Sequence, residues 1–153
     1  MNDEKTALEK MRDFVSSYPD ADILEELTID YTDNVPNVGG LFPGGLVEVS
    51  RSRDVLPREL GGTMRVFNQY NFALYTKFEK SPDEDYGATL NAEWLIGFQE
   101  WIQEQSAKGL APTFGDEPSL ERLSAQNGTL FSADEEGTAL YVVQLSASFV
   151  RIY

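Results

Sequence analysis

Apolar and polar side chains largely alternate through residues 64–80, MRVFNQYNFALYTKFEK. The apolar positions are Val66, Tyr70, Phe72, Leu74 and Phe78, and the polar positions are Arg65, Gln69, Asn71, Lys77 and Glu79. A period of two residues is that of a β-strand with one buried face. At about 3.3 Å per residue the segment would extend about 55 Å, which is long for a strand. We therefore expect a sheet at the centre of the fold, with a strand here that bends at a bulge or projects.

Four further segments have strand character. They are residues 26–31, residues 46–53, residues 121–132 with a bulge at Gly128, and residues 138–152. Residues 134–137, DEEG, have the composition of a hairpin turn between the last two. We expect residues 46–53 to pair with the long strand, so that a β-hairpin arm around 46–80 projects from the domain.

Two segments have the three- and four-residue spacing of amphipathic helices. The first is residues 3–17, which carry Leu8, Met11, Phe14 and Val15 ahead of Pro19. The second follows a turn predicted at residues 81–87 and begins at Thr89 or Asn91. Its apolar stripe is Leu90, Trp94, Leu95, Phe98, Trp101 and Ile102, and Lys108 and Gly109 close it.

Residues 34–45, NVPNVGGLFPGG, contain two prolines and four glycines, which predicts a long loop carrying Leu41 and Phe42. The predicted order is α-β-β-β-α-β-β. Because each helix has only one apolar stripe, the simplest packing places both on one face of a sheet. We expect one α+β domain over residues 1–153, with a mainly antiparallel five-stranded sheet and two helices packed on one face.

The composition restricts the chemistry. The chain has 26 Asp and Glu against 12 Lys and Arg, a net charge of −14, and no histidine or cysteine. Nucleophilic catalysis with a histidine base is therefore excluded, and the usual ligands of zinc are missing. An acidic surface repels DNA phosphates, although it also serves solubility. We expect no cofactor, no metal and no specific nucleic-acid binding.

Carboxylates are the remaining catalytic candidates, because paired acids can act as general acid and base. The acidic clusters are Glu25 and Glu26; Asp83, Glu84 and Asp85; Asp116 and Glu117; and Asp134, Glu135 and Glu136. All four lie at predicted strand starts, turns or loops, where solvated acids keep ordinary pKa values. We favour a non-catalytic protein, with a small carboxylate-based binding or enzyme module carried on a mobile element as the alternative.

The N-terminal residues lack the basic and apolar regions of a signal peptide, and no apolar stretch approaches the length that crosses a bilayer. The expectation is synthesis in the cytoplasm and no membrane partner.

Four segments resemble a family of minor capsid proteins from tailed phages and prophages of Gram-positive bacteria. They are NQYNFALYTKFEKS (68–81), NAEWLIGFQEWIQEQS (91–106), GLAPTFGDEP (109–118) and AQNGTLFSADEEGTALYVVQLSASF (125–149). The resemblance covers residues 45–153 and implies a virion protein of the head–tail junction. The order of elements also resembles that of tail terminators, which form a hexameric ring on the tail tube.

This resemblance implies a homo-oligomeric ring that contacts tail-tube and head-completion proteins and through which DNA passes without specific binding. The acidic surface would then face the DNA path at least in part. Apolar and aromatic side chains in the loop and the long strand are the candidate interface: Leu41, Phe42, Phe67 and Tyr75.

Overall fold

The computed structural model describes residues 5–21, 26–29, 38–53, 62–79, 84–133 and 138–153. The elements are α1 (Ala7–Ser16), β1 (Glu26–Ile29), β2 (Val38–Arg53), β3 (Met64–Glu79), α2 (Glu84–Ala107), β4 (Arg122–Ala133) and β5 (Thr138–Ile152). A short 3₁₀ turn, Pro118–Leu120, precedes β4. The predicted α+β class with two helices is confirmed.

The sheet has the strand order β1-β2-β3-β5-β4. Strands β2, β3, β5 and β4 form an antiparallel four-stranded unit. The short β1 pairs parallel to β2, from Glu26 opposite Val38 to Ile29 opposite Leu41. The parallel strand therefore covers only the first part of β2, and the remainder of β2 forms the outer edge of the sheet.

The long strand lies inside the sheet rather than on a projecting arm. β3 pairs with β5 from Arg65 opposite Ile152 to Glu79 opposite Thr138, and with β2 on its other side. The predicted pairing of residues 46–53 with this strand is confirmed, from Leu46 opposite Tyr70 to Arg53 opposite Met64. The predicted projection is wrong for residues 64–79, because β3 pairs with β5 over this length; residues 54–61 and 80 lie outside the described residues. Alternation in the sequence predicts a strand, but it does not show which strands will flank it.

The predicted loop at residues 34–45 is wrong for its second part, because residues 38–45 belong to β2, and residues 34–37 lie outside the described residues. The glycines fit the strand because of a register shift between Pro43 and Gly45, the latter with φ of +86°. A Cβ at Gly44 would lie only 2.9 Å from the Asn71 Cβ. Pro43 is tolerated because it lies past the end of β1, at a bulge on the sheet edge.

Both helices pack on one face of the sheet and share its core. Thr6 caps α1 in a capping box with Glu9. The largest fully buried side chains come from both helices and three strands: Met11, Val15, Leu41, Leu74, Phe78, Phe98, Ile102, Val143 and Leu145. Phe14 stacks on Trp101 with ring centroids 4.7 Å apart, which joins α1 to α2.

The second helix is longer than predicted. α2 begins at Glu84, so residues 84–87 of the predicted turn are helical, and residues 81–83 lie outside the described residues. The predicted stripe from Trp94 to Ile102 is confirmed as the packed face. The helix ends at a left-handed Gly109, as its C-terminal glycine predicts.

The predicted bulge at Gly128 is confirmed. The pairing of β4 with β5 shifts register between Gln126 and Thr129, and Asn127 has a positive φ of 58°. The predicted turn at 134–137 lies outside the described residues.

Candidate interaction surface

The sheet has one face opposite the helices, which we call the open face; neither described helix packs on it. Residues directly opposite each other in neighbouring strands share a face. Leu41 lies opposite Leu74 on the helix side, and Phe42 lies opposite Ala73 on the open face. Of the four predicted interface residues, Leu41 is therefore misplaced: its side chain is fully buried in the core and is unavailable to a partner.

The open face carries the other three predicted interface residues. Phe42 and Tyr75 meet edge to face, with ring centroids 5.1 Å apart. Phe67 lies eight residues before Tyr75 in β3, a separation of about 26 Å along the strand. All three side chains are half-buried. The structure thus brings two of the aromatic residues together and leaves the third near the other end of the face.

Polar side chains cross the middle of the open face. The Gln69 Nε2 donates to the Asn71 Oδ1 at 2.7 Å and lies 3.3 Å from the Ser146 Oγ, which itself donates to the Asn71 Oδ1 at 3.1 Å. A shallow cavity of about 250 Å³ lies beside this group, bounded in part by Gly44 and Gln144. The centre of the face is therefore polar and pre-ordered by its own hydrogen bonds.

Charge is distributed unevenly between the two sides of the molecule. The charged side chains described on the strands of the open face are basic: Arg65, Lys77 and Arg122. Exposed carboxylates instead lie along the outer surface of α2, at Glu93, Glu100 and Glu104. In the described part of the chain, the outer surface of α2 is thus more acidic than the strands of the open face.

Asp116 and Glu117 are the acidic cluster whose side chains are described, and both serve the fold. The Asp116 Oδ2 accepts a hydrogen bond from the Ile152 N–H at 2.8 Å, and Glu117 forms an ion pair with Arg65. Glu121 accepts from two backbone N–H groups of the same loop at 2.6 and 3.0 Å. These carboxylates hold the loop before β4 against the end of β5 and of β3.

Two titratable groups with shifted acidity lie on or next to α1. A hydrogen bond from Lys5 lowers the pKa of Asp13. Burial raises the pKa of Tyr18, with a smaller contribution from the nearby carboxylate of Asp20. Neither group faces the open face, and both shifts are explained by local packing.

One edge of the sheet exposes apolar side chains. The β2 edge, residues 46–53, extends beyond the last residue of β2 that pairs with β1. Leu46 is 57% exposed, Val47 48% and Val49 62%. Glu48 and Arg51 form an ion pair at 2.5 Å next to a register shift at Val49. Exposed edge strands with apolar side chains are sites where another chain can pair or dock.

The opposite edge is partly covered by α2. The Ser106 Oγ accepts from the Leu123 N–H at 2.9 Å, and the Gln99 Nε2 donates to the Ala125 carbonyl at 3.2 Å. An open groove of about 720 Å³, the α2–β4 groove, lies between helix and strand, with Ile96 in its wall. Neither this groove nor the β2 edge was predicted from the sequence, although the apolar residues Leu46, Val47 and Val49 indicate that the edge is unusual for an exposed strand.

In the described ranges no group of three or more acidic side chains is placed to bind a metal ion. Of the helices described, none has the length and hydropathy needed to cross a bilayer. Comparison of the chain with protein-family models gives no match, and no curated protein matches it.

Proposed function

We propose that the protein is a structural component of the head–tail junction of a tailed phage or prophage virion, a tail terminator or related minor capsid protein that assembles into a ring. Its partners would be further copies of itself, the tail-tube protein and a head-completion protein. The family resemblance of residues 45–153 motivates the proposal.

The observation that carries the proposal is the one-sided helix layer. Two helices cover one face of the sheet, which leaves the open face and the β2 edge as broad surfaces with exposed or half-buried aromatic and apolar side chains. Such surfaces suit contacts between subunits. The described acidic pair, Asp116 and Glu117, is engaged in holding a loop, which favours an assembly role over carboxylate catalysis.

The charge distribution suggests an orientation in the ring. DNA that passes through a narrow channel is repelled by carboxylates on the wall, which prevents it from binding there. The outer surface of α2 outside the α2–β4 groove, with Glu93 and Glu104, would meet this requirement, whereas the open face, with its basic and polar side chains, would not. In the proposed ring this part of α2 therefore contributes to the wall of the DNA channel.

Electron microscopy of particles from a phage or prophage lacking this gene tests the proposal. A missing terminator should leave overlong tails or heads without tails, and wild-type protein supplied from a plasmid should restore joined particles. Light scattering of the purified protein should show a ring, alone or after addition of tail-tube protein. Normal particles in the deletion, together with a protein that stays monomeric beside tube protein, would reject the role.

A further inference from the structure

We infer that the β2 edge of one copy of the protein docks in the α2–β4 groove of a second copy. The inference rests on the proposed ring, for which it supplies the contact between neighbours. It commits to a second copy of the chain as occupant of the groove.

The two surfaces lie at opposite edges of one sheet. Three spacings between strands separate β2 from β4, about 14 Å. A contact between two different surfaces of the same chain is heterologous, and it generates a ring when the rotation that relates neighbouring copies closes. The four antiparallel strands also alternate in direction. A rotated copy therefore brings its β2 beside β4 in the antiparallel sense that the rest of the sheet already has.

The two surfaces also match in apolar character. Ile96 is 55% exposed at the groove, although the other large apolar side chains described on α2 pack in the core. Leu46, Val47 and Val49 are similarly exposed on the β2 edge. Burying such side chains against each other removes apolar surface from water, which stabilises the contact by about 25 cal/mol per Å².

Their charges are complementary as well. Two arginines, Arg51 and Arg53, and one glutamate give the β2 edge a net charge of +1, in a chain whose net charge is −14. Glu100 is the exposed acidic residue that lines the α2–β4 groove; Glu121 lines it too, but its carboxylate accepts from the Phe114 and Gly115 N–H groups. Opposite charges on two surfaces favour their association and fix its orientation. We therefore expect the basic side chains of the β2 edge to lie next to the acidic side of the groove.

The contact is made chiefly through side chains. Ser106 and Gln99 already bond to the N–H of Leu123 and the carbonyl of Ala125. Because these two backbone groups of β4 have partners, an incoming strand gains little by replacing them. The incoming β2 edge therefore lies against the groove between α2 and β4, rather than continuing the ladder at these two residues.

Disulfide trapping tests this contact cleanly, because the chain contains no cysteine. Val49→Cys and Ile96→Cys are purified separately, with tags of different size, and mixed at high concentration under mild oxidation. The expected result is a disulfide-linked heterodimer at least tenfold more abundant than in a control mixture of Val49→Cys with Leu110→Cys. Leu110 is 61% exposed and does not line the groove, so it controls for random collision.

The other outcomes overturn the inference. A dimer of Val49→Cys with itself as the main product would show that two β2 edges pair about a two-fold axis. Absence of the mixed product above the Leu110→Cys control would show that the edge does not enter the groove.

A chain carrying both Val49→Cys and Ile96→Cys extends the test. Cysteine Cα atoms more than about 7 Å apart cannot form a bridge, and the opposite edges of one sheet exceed that distance. Every disulfide must then join two copies, and the products should form a ladder that ends in a closed ring. A charge exchange provides an independent readout: Arg51→Glu should reduce the trapped product about tenfold, and Glu100→Arg in the partner should recover it.

Failure of the contact and failure of the proposed function are distinguishable. A ring in light scattering without the Val49–Ile96 disulfide would leave the proposed function standing and reject this contact. Efficient trapping of the disulfide, together with normal particles in the deletion strain, would support this contact and reject the proposed function.

Discussion

The two edges of the sheet differ in how far they are covered: side chains of α2 bond to one edge, and the other is exposed. At β4, side chains of α2 bond to backbone groups of the edge strand, through Ser106 and Gln99. At the β2 edge, the side chains of residues 46–53 are exposed, and three large apolar residues are among them. Soluble proteins commonly protect edge strands against unwanted pairing, and the unprotected β2 edge is the surface that we propose for the contact with a second copy.

Both edge strands nevertheless contain a bulge. In β4, Gly128 lies at the register shift and faces α2. Its lack of a Cβ leaves room for the helix, because a Cβ there would lie 2.5 Å from the Gln99 Oε1. In β2 the shifts follow Pro43 and Glu48 in the part of the strand beyond β1. Similar local irregularities therefore fit a helix against one edge and bend the other edge.

Truncating the buried side chain that holds α2 on the sheet should have the largest effect on stability. Phe98 is fully buried and stacks on Trp94, so Phe98→Ala should lower the free energy of unfolding by about 3–5 kcal/mol. Denaturant titration measures the loss. The matched control is Ile96→Ala on the exposed side of the helix, for which a change within about 0.5 kcal/mol is expected. Equal losses would mean that α2 is not held through this face.

A methyl group at the β2 bulge should have a smaller effect. In Gly44→Ala the new Cβ would meet the Asn71 Cβ at 2.9 Å and its carbonyl oxygen at 3.0 Å, so we expect a loss of about 1–3 kcal/mol. Gly45→Ala meets no atom within 4 Å but retains a positive φ, and should cost about 1 kcal/mol. Thermal unfolding of the two variants compares them. A larger loss for Gly45→Ala would contradict the close approach of Gly44.

Loss of one bond at the β4 edge should be smaller still. Ser106→Ala removes the acceptor of the Leu123 N–H, for which we expect about 1 kcal/mol of destabilisation. Amide hydrogen exchange at Leu123 should become about fivefold faster, since the group loses its protection. Ser148→Ala, at an exposed position of the open face, serves as the control and should leave this amide unchanged.

A charge on the β2 edge should have the smallest effect on stability. Because Val49 is largely exposed, Val49→Lys should change the free energy of unfolding by less than about 0.5 kcal/mol. The same change should reduce self-association in light scattering, because an ammonium group in place of the Val49 side chain loses the apolar contact with Ile96 and must be desolvated there. Leu110→Lys provides the control for added charge. Unchanged association would show that the β2 edge is not the surface used.

Much of the fold follows from periodicity in the sequence. Alternation in residues 64–80 and 138–152 predicted two strands, and the spacing of Trp94, Phe98 and Ile102 predicted the packed face of α2. That these two strands pair with each other is seen only in the structure. These patterns depend on local geometry, which a sequence states directly. The loop predicted at residues 38–45 from their glycines and proline was wrong, because these residue types occur both in loops and in bulged edge strands.

The candidate surface was predicted less well, because burial depends on register. Leu41 and Phe42 are adjacent, yet pairing opposite Leu74 and Ala73 sends one into the core and the other to the open face. A shift of the strand by one residue would move Leu41 to the open face and Phe42 into the core. The register is set by contacts between segments more than thirty residues apart, and no local pattern specifies it.

The sequence by itself determined that this chain forms strands and two one-sided helices, and that histidine- and cysteine-based chemistry is excluded. Residue type and short-range spacing are sufficient for those conclusions. Only the tertiary structure decided that the long strand is central, that α2 covers the β4 edge, and that residues 46–53 form an exposed edge. These features depend on the order of strands in the sheet, which is set by long-range pairing and core packing.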